Sequence, residues 1–505
     1  MDSTAMDISQ DLVQVLKVPR VAAIVTFLLG WGVYTLYRYI THPLYKIPGP
    51  RLAAWSNLPY SRMFLSGRQP YAILALHEKY GPVVRVAPNE ISFSSPSSWE
   101  DIYGFRPGHK TFKKSPFYSG GSFADRAHSI VSERDPTEHG TMRKYLSHAF
   151  SDHSLTKQEH LVAENVDLLI SQLGALGGGD EGLNIVKWFN LTTFDIIGSL
   201  AFGESFGGLK SQEFHFWIDL VTKALRQGAL ADTMSRFPWM AQVFMWLMPG
   251  TIRKLTEDTK IHEDHTMALI EKRINNQDPR PDFLTRILEQ EQNISTVQLA
   301  AHASDFVTAG SETTATALSC ITYYLLKTPH ACTKLQNEVR SAFTKYEDIN
   351  SQAANRLQYM RAVCLEGMRM YAPLPFALPR VVPEGGDTVD GIQLPAGTIV
   401  STNPVAAGLY SRNWEDPYSF KPERWLGANE KDILAASQPF SLGPRGCLGR
   451  NLAWMELGTI LAKLHWSYDL ELVSKELDWQ LDSRMATLWV KPELMVKVHP
   501  RKVSE

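Results

Sequence analysis

Cysteine is scarce in this chain. The 505 residues include four, Cys320, Cys332, Cys364 and Cys447. No two of them form a Cys-x-x-Cys pair, and their spacing fits neither a zinc site nor a disulfide framework. Reduced thiols are therefore expected, as in proteins that face the cytosol.

An excess of charge of one sign is also missing. Lysine and arginine number 51 against 53 aspartates and glutamates, the net charge is −2, and no long basic run occurs. Because nucleic-acid binding needs a strongly basic surface, this balance predicts no nucleic-acid partner. Flavin and nicotinamide fingerprints are missing too. The glycine-rich stretch Leu176–Asp180 lacks the Lys-Ser/Thr ending of a phosphate-binding loop, so we expect a turn there.

One uncharged and largely apolar run, Val21–Tyr37, lies near the N-terminus. As a helix it would span about 26 Å, slightly less than the hydrocarbon core of a bilayer. A cleaved signal peptide is the alternative, but the run is long for one and no small-x-small cleavage site follows. The sequence therefore predicts a membrane anchor with a stiff exit at Tyr45–Pro50, where two prolines flank a glycine.

One cysteine, Cys447, stands in an unusual setting. The segment Phe440–Arg450 surrounds it with three glycines and a proline, and an apolar helix is predicted to start near Asn451. Amide groups before a helix, and the helix dipole, favour a thiolate, which is a good axial ligand for haem iron. A lone cysteine is more often a small core residue. The pattern Phe-x-x-Gly-x-Arg-x-Cys-x-Gly, however, closely resembles the cysteine-ligand loop of the cytochrome P450 haem-thiolate monooxygenases.

A long helix is predicted from Ser295, a suitable N-cap, to Leu326. In its middle stands Ala309–Thr314, whose glycine and hydroxyl residues are poor choices for helix stability alone, unless the helix opens locally to admit a ligand or water. This segment resembles the oxygen-activating groove of the same family. The resemblance implies that Thr313 hydrogen-bonds dioxygen and that Glu312 relays protons. The alternative is a buried helix with a structural glutamate.

Haem binding is implied for several further residues. His139 and Arg143, four apart on one predicted helix face, resemble the family's propionate-binding pair, although many members carry tryptophan where this chain has His139. The resemblance also assigns Arg380 and Arg445 to the propionates and Phe440 to the haem site. The implied cofactor is haem b, with Cys447 as the axial iron ligand.

A charged network is predicted to serve folding. Glu366 and Arg369 lie three apart on a predicted helix, a spacing that on a surface contributes about 0–1 kcal/mol. Together with Arg424, in the segment Phe420–Trp425, they resemble the family's buried triad. We expect these residues to support folding and haem retention and not to take part in the chemistry.

The substrate pocket is expected to be apolar. Residues Tyr103–Ser132 show no clear period and are rich in Gly, Ser, Phe and Tyr, and long loops of this kind are often functional. By resemblance this loop roofs the pocket, and an exposed surface loop is the alternative. The substrate-contact candidates that follow from the resemblance are Phe117, Tyr118, Phe123, Ala309, Phe376, Ala377, Leu378, Thr487 and Leu488.

The remaining patterns place a small β region in a mostly α chain. Gly81–Ser95 alternates around Pro88-Asn89 and predicts a hairpin, and Gly391–Asn403 predicts strand–turn–strand. The expected fold is the cytochrome P450 fold, preceded by an N-terminal transmembrane helix. The expected division is residues 1–20 as a lumenal segment, 21–40 as a transmembrane anchor, 41–50 as a proline-rich hinge and 51–505 as the haem-thiolate monooxygenase domain.

The partners follow from the same resemblance. They are O2, an apolar small-molecule substrate, NADPH-cytochrome P450 reductase, with cytochrome b5 as a second candidate donor, and the endoplasmic reticulum membrane, the catalytic domain being cytosolic. Arg445, Arg450 and Lys421 near Cys447 are candidates for the reductase-docking face. The aromatic segment Phe206–Pro249 suits a lid that dips into the membrane surface.

The predicted activity is therefore monooxygenation. The style of the anchor, His139-x-x-x-Arg143 and Phe440–Arg445 resemble fungal enzymes, which indicates secondary metabolite biosynthesis. Two alternatives are a haem-thiolate isomerase or dehydratase that needs no electron donor, and a membrane haem-binding protein without turnover. The pair Glu312–Thr313 favours the monooxygenase, because such isomerases have little use for a proton relay to oxygen.

Overall fold

Helices make up most of this computed structural model, which describes residues 40–119, 122–124, 126–276, 281–427 and 431–501, with several positions between 23 and 37. The helices are α1 (Leu58–Leu65), α2 (Gln69–Tyr80), α3 (Pro96–Tyr103), α4 (Pro136–Ala149), α5 (Asp152–Leu176), α6 (Ile185–Phe202), α7 (Gly208–Ser211), α8 (Phe216–Arg236), α9 (Pro238–Leu247), α10 (Pro249–Asn275), α11 (Phe283–Gln290), α12 (Thr296–Lys327), α13 (Pro329–Ala342), α14 (Ser351–Ala354), α15 (Gln358–Met370), α16 (Pro404–Leu409), α17 (Arg450–Ser467) and α18 (Trp479–Asp482).

The strands are short. They are β1 (Val83–Ala87), β2 (Glu90–Phe93), β3 (Lys113–Lys114), β4 (Ser122–Phe123), β5 (Ala127–His128), β6 (Leu183–Asn184), β7 (Arg380–Val381), β8 (Asp387–Val389), β9 (Ile392–Leu394), β10 (Ile399–Thr402), β11 (Tyr468–Leu472), β12 (Arg484–Met485), β13 (Trp489–Val490) and β14 (Met495–Pro500). A fold that is mostly α with a small β region is thereby confirmed.

The largest sheet has the strand order β1-β2-β10-β7-β3. Strands β1 and β2 form the predicted hairpin, and β10 runs parallel to β2, with Val400 opposite Ile91. The predicted strands in 391–403 exist as β9 and β10, but they do not pair with each other. Strand β9 pairs with β8, whereas β10 pairs with β2 and β7.

The core is organised around α12, which packs against α6, α15 and α17. Ser295 caps its N-terminus by accepting a hydrogen bond from the amide of Gln298 at 3.1 Å, as the sequence predicted. Every residue from Thr314 to Leu325 is buried. At Gly310 the neighbouring α6 comes so near that an added Cβ would lie 3.1 Å from Ile197 Cδ1. The glycine of the motif thus permits the close approach of two helices.

The N-terminal segments are only partly covered by the described residues. Residues 1–20 lie outside them, as does much of the predicted anchor at 21–40. Where the structure describes the chain, it contains no helix that is both long enough and apolar enough to span a bilayer. The proline-rich stretch is fixed to β1, because the carbonyl oxygen of Pro48 accepts a hydrogen bond from the amide of Arg85 at 2.7 Å.

Candidate functional site

The loop before α17 carries Cys447 at an accessible position. The Cys447 amide donates to the carbonyl oxygen of Phe440 at 2.8 Å, which closes the loop into a tight turn. Gly443 has a φ of +66° and lies against the carbonyl of Tyr103, so that no other residue fits there without displacement. Among the four cysteines, Cys447 alone is exposed. The sequence therefore folds locally so that one sulfur points out of the core.

The protonation of this thiol is set by opposing effects. Although the residue is accessible at the surface, the protein atoms around the thiol raise the pKa of Cys447, while the amide of Gly449 and the charges of Arg143 and Arg450 lower it. The amide acts in the direction that the sequence predicted and the cations add to it, but the desolvation of the thiol has the larger effect. A thiol that coordinates a metal loses its proton outright.

Five buried or half-buried basic side chains gather beside this loop. They are Lys114, His139, Arg143, Arg380 and Arg445. Strand pairing puts Lys114 directly opposite Arg380, a juxtaposition of like charges that disfavours the sheet unless an anion is nearby. A cleft of about 360 Å³ borders three members of this basic cluster, His139, Arg143 and Arg445.

The contacts of the basic cluster are to main-chain carbonyl oxygens. Arg445 donates to the carbonyls of Glu133 and Arg134 at 2.9 and 3.0 Å, and Arg143 donates to that of Gly446 at 2.7 Å. Lys114 donates to the carbonyls of residues 130 and 131. Within the described parts of the chain, no carboxylate oxygen lies within 4 Å of the charged nitrogens of any member. Among the described residues the cluster therefore has no direct ion pair with a carboxylate, although Glu133 and Asp305 lie near enough to favour the charge of Lys114.

The positive charges of the basic cluster repel one another and lower the pKa values of its members. Burial, together with the neighbouring cations, lowers the pKa of His139 to about 3 and that of Lys114 to about 6. Burial and the nearby Arg380 lower the pKa of Arg445 to about 10. Two carboxylates placed here would relieve this repulsion and form charge-assisted hydrogen bonds. The donor set, with a cysteine sulfur beside it, fits a haem with its two propionates.

Lys114 is a member that sequence reasoning missed. It lies within the loop that was expected to roof the substrate pocket, and nothing in the local pattern marks it as buried. Only the pairing of β3 with β7, across more than 250 residues, brings it beside Arg380. The available signal for a role of Lys114 was a basic residue inside a loop rich in aromatic and small residues.

The motif in α12 forms a partly accessible stripe on a helix that is otherwise largely buried. Ala309 is exposed, and Glu312 and Thr313, three and four residues further on, are half-buried. The helix continues unbroken through the motif, so the predicted local opening is not observed. The Thr313 hydroxyl instead donates to the carbonyl oxygen of Ala309 at 2.6 Å. Glu312 Oε1 forms an ion pair with Lys491, a partner that the sequence did not indicate.

The predicted charged triad is assembled in the core. Arg369 donates to both carboxylate oxygens of Glu366 at 2.8 Å, and Arg424 Nε lies 3.1 Å from Glu366 Oε1. The side chains of Glu366 and Arg369 are fully buried. Two further partners complete the network: Trp425 donates its indole N–H to Glu366 at 3.0 Å, and Asp432 accepts from Arg424 at 2.5 Å.

The structure brings some of the substrate-contact candidates together. The ring of Phe117 lies 5.3 Å from that of Tyr118 and 5.5 Å from that of Phe376, and Ala377 and Leu378 follow Phe376 along the chain, half-buried. In contrast, Phe123 is 7% exposed and packs on the His262 ring of α10.

The other two candidates lie in the turn between β12 and β13. Leu488 is buried, at 9% exposure. Thr487 packs against Gly228 of α8. Its hydroxyl is buried and has no hydrogen-bond partner among the residues that the structure describes.

The loop expected to roof the pocket is attached to α12. Gln298 donates to the carbonyl oxygen of His128 at 2.7 Å, and Asp305 accepts from the amide of Val131 at 3.0 Å. His302 accepts from the amide of Ile130 at 3.2 Å. This part of the segment is therefore held against the central helix and is not a free surface loop.

Comparisons with known proteins agree with this geometry. The family model described as Cytochrome P450 matches residues 48–498. The chain is 57% identical over 461 residues to cytochrome P450 monooxygenase ORF11 of Penicillium roqueforti, covering 91% of this chain and 96% of the relative. It is 41% identical over 481 residues to cytochrome P450 monooxygenase ORF9 of the same fungus, covering 95% of this chain and 93% of the relative. It is 38% identical over 488 residues to cytochrome P450 monooxygenase astJ of Aspergillus oryzae, covering 94% of this chain and 96% of the relative.

These matches span nearly the whole of each relative and agree with the cysteine loop and the basic cluster. The family uses haem with a cysteine thiolate ligand. The chain belongs to the cytochrome P450 family and is a cytochrome P450 monooxygenase.

Proposed function

We propose that this monooxygenase takes electrons from NADPH through a separate reductase and hydroxylates or otherwise oxidises an apolar small molecule in fungal secondary metabolism. The observation that carries the proposal is the exposed residue Cys447 beside a basic cluster that, among the described residues, forms no ion pair with a carboxylate. The relatives, which are named as monooxygenases and come from fungi, support the reaction class and the setting.

The residues around the haem would have distinct tasks. Haem held by a cysteine thiolate supplies oxygen activation, and the protein supplies binding, orientation and electrostatics. Cys447 holds the iron, and the basic cluster, with Phe440 packed on the Trp454 ring at 5.9 Å, holds the haem in register. Glu312 and Thr313, on the accessible stripe of α12, hold and move protons.

The substrate pocket is proposed to include the ring cluster formed by Phe117, Tyr118 and Phe376. Such rings bind apolar carbon skeletons through large contact areas at small entropic cost. Ala309 would let a substrate approach the helix closely, since it presents only a methyl group on the accessible stripe. Leu488 and Thr487 would contribute from the turn between β12 and β13.

Electron delivery is proposed to use the face around α17. Of the three cations suggested by the sequence, Arg450 is exposed at the start of that helix. Arg445 instead points into the basic cluster, and Lys421 forms an ion pair with Asp416 at 2.7 Å. Arg450 is therefore the principal candidate for attraction to an acidic reductase surface.

Membrane association is proposed to use both the N-terminal anchor and α9. Trp239, Met245, Trp246 and Leu247 are all more than half exposed, Trp246 by 79%. A helix with such exposed apolar side chains is suited to the interface between head groups and acyl chains. This arrangement would place the catalytic domain on the cytosolic face of the endoplasmic reticulum.

The test is spectroscopic and chemical. The purified protein, reduced and exposed to carbon monoxide, should show the strongly red-shifted Soret absorption of thiolate-bound iron, and Cys447→Ser should abolish it. Expression with a fungal NADPH-dependent reductase should yield an oxidised metabolite that the Cys447→Ser strain lacks. Turnover of a peroxide without reductase, in the absence of NADPH-dependent oxidation, would favour an isomerase or dehydratase and overturn the proposal.

A further inference from the structure

Lys491 places a positive charge deep in the protein beside the α12 motif. It follows β13, its side chain is 3% exposed, and its ammonium forms an ion pair with Glu312 Oε1. It also donates to the hydroxyl of Thr316 at 2.9 Å. A buried ammonium is costly unless it is paired, so this lysine is held in place by its two partners.

The two partners lie four residues apart on one face of α12. Lys491 therefore bridges successive helical turns immediately beside Thr313, whose own hydroxyl bonds back to Ala309. The Glu312 side chain is 26% exposed, against 3% for Lys491. The carboxylate thus stands between the accessible stripe of the motif and a cation that lies behind it.

The main chain that carries Lys491 is rigid. Strand β13 pairs with β12, with Trp489 opposite Met485. The indole N–H of Trp489 donates to the carbonyl oxygen of Ala372 at 2.8 Å, and its ring stacks on that of Tyr371 with centroids 4.3 Å apart. Because the main chain at Lys491 is already held in place, only the lysine side chain has to be ordered when the ion pair forms. Its ammonium group therefore occupies a defined position.

We propose that Lys491 is a positioning residue for Glu312, holding the carboxylate oriented beside Thr313 so that it can accept and pass on a proton. The inference rests on the proposed relay role of Glu312. Without the ion pair to Lys491, the half-buried carboxylate would be free to rotate, and proton delivery would be slow or misdirected.

The experiment uses the holoenzyme with its reductase and compares Lys491→Met, Lys491→Arg, Glu312→Gln and the double variant Lys491→Met/Glu312→Gln. Lys497→Met is the matched control, since Lys497 lies in the same C-terminal region and pairs with exposed Asp180 at 3.6 Å. Product formed per NADPH and peroxide released are measured. Thermal unfolding midpoints, which do not depend on activity, complete a double-mutant cycle.

Lys491→Met should lower product per NADPH about tenfold and should raise the peroxide released. Lys491→Arg should restore most of the coupling, and Lys497→Met should behave as the wild type. The loss in unfolding midpoint caused by Lys491→Met should largely disappear in the Glu312→Gln background. Loss of coupling in Glu312→Gln but not in Lys491→Met would overturn the inference and leave the relay role standing. Unchanged coupling in Glu312→Gln would overturn both.

Discussion

Arg424 reaches Glu366 from 58 residues further along the chain, with Nε and Oε1 3.1 Å apart in a site closed to water. Glu366 accepts hydrogen bonds from Arg369, Trp425 and the amide of Lys421 as well. A single carboxylate therefore ties α15 to the irregular segment that leads to the Cys447 loop. We therefore expect the stability of the fold and the position of the Cys447 loop to depend on the same group.

Glu366→Gln should lower the free energy of unfolding by about 3–5 kcal/mol, because it removes the carboxylate that pairs with buried Arg369 and one of the two carboxylates that pair with Arg424. Lys272→Met is the control, since Lys272 pairs with Glu204 at the surface and should cost at most about 1 kcal/mol. Chemical denaturation of both variants measures the difference. Equal losses in the two variants would contradict the role assigned to the network.

His139→Ala should weaken haem retention by about ten- to a hundredfold, the value of a hydrogen bond to a charged group. The His139 ring would donate an N–H to a propionate, whose negative charge would offset the neighbouring cations that lower the pKa of this histidine. The rate of haem transfer to an acceptor globin gives the measurement. His148→Ala, which changes an exposed histidine of the same helix outside the cleft, should leave that rate unchanged.

His139→Trp should retain haem, because an indole N–H can donate the same hydrogen bond. Loss of haem from the tryptophan variant comparable to that from His139→Ala would show that size, and not the donor, matters at this position. The comparison therefore separates the proposed hydrogen bond from simple packing.

Local sequence signals were enough for the elements that depend on neighbours in the chain. Ser295 and the apolar period predicted α12, and the turn at Pro88-Asn89 predicted the β1–β2 hairpin. The glycine in the α12 motif was interpreted as local opening of the helix, whereas it also admits Ile197 of α6. Packing of one helix on another is not visible in either helix alone.

The contacts that complete the site come from distant segments. Lys114 becomes a member of the basic cluster only through the pairing of β3 with β7, and Lys491 meets Glu312 across 179 residues. Strand β9 was predicted as a strand but not as the partner of β8, because alternation specifies a strand and leaves its partner open. The family resemblance indicated the candidate haem-binding and catalytic residues. The residues that contact and support them were visible only in the tertiary structure.

The free energy of unfolding should fall as the pH rises from about 4.5 to about 8, because the carboxyl group of Glu456 is buried. This residue of α17 is 1% exposed, and burial raises its pKa to about 8 despite a hydrogen bond with Thr314. The folded protein keeps the proton over this range and the unfolded chain releases it, so the free energy of unfolding falls by up to about 1.4 kcal/mol per pH unit. Glu456→Gln should remove that contribution. Denaturation across this range measures both slopes, and parallel slopes would refute the assignment.

Arg450→Glu should slow reduction of the haem by the reductase several-fold and leave substrate affinity unchanged. Arg450 is exposed at the start of α17, so reversal of its charge replaces attraction with repulsion at the docking face. Stopped-flow reduction at low and high salt measures the effect, which should shrink as salt screens it. Lys475→Glu reverses one exposed charge elsewhere and serves as the control. Weakened substrate binding with normal reduction would contradict the docking role.

Charging α9 should reduce membrane binding of a form that lacks residues 1–40. The side chains of Trp239 and Trp246 are 66% and 79% exposed, whereas Phe244 is half-buried, so the two tryptophans are the outermost aromatic groups of this helix. Trp239→Glu/Trp246→Glu should lower the fraction that floats with lipid vesicles, because two charges must then leave water to enter the interface. Tyr418→Glu, a charge placed on an exposed ring in another part of the surface, should not change it. Equal flotation of all three proteins would exclude α9 as a membrane contact and leave the N-terminal segment as the remaining candidate.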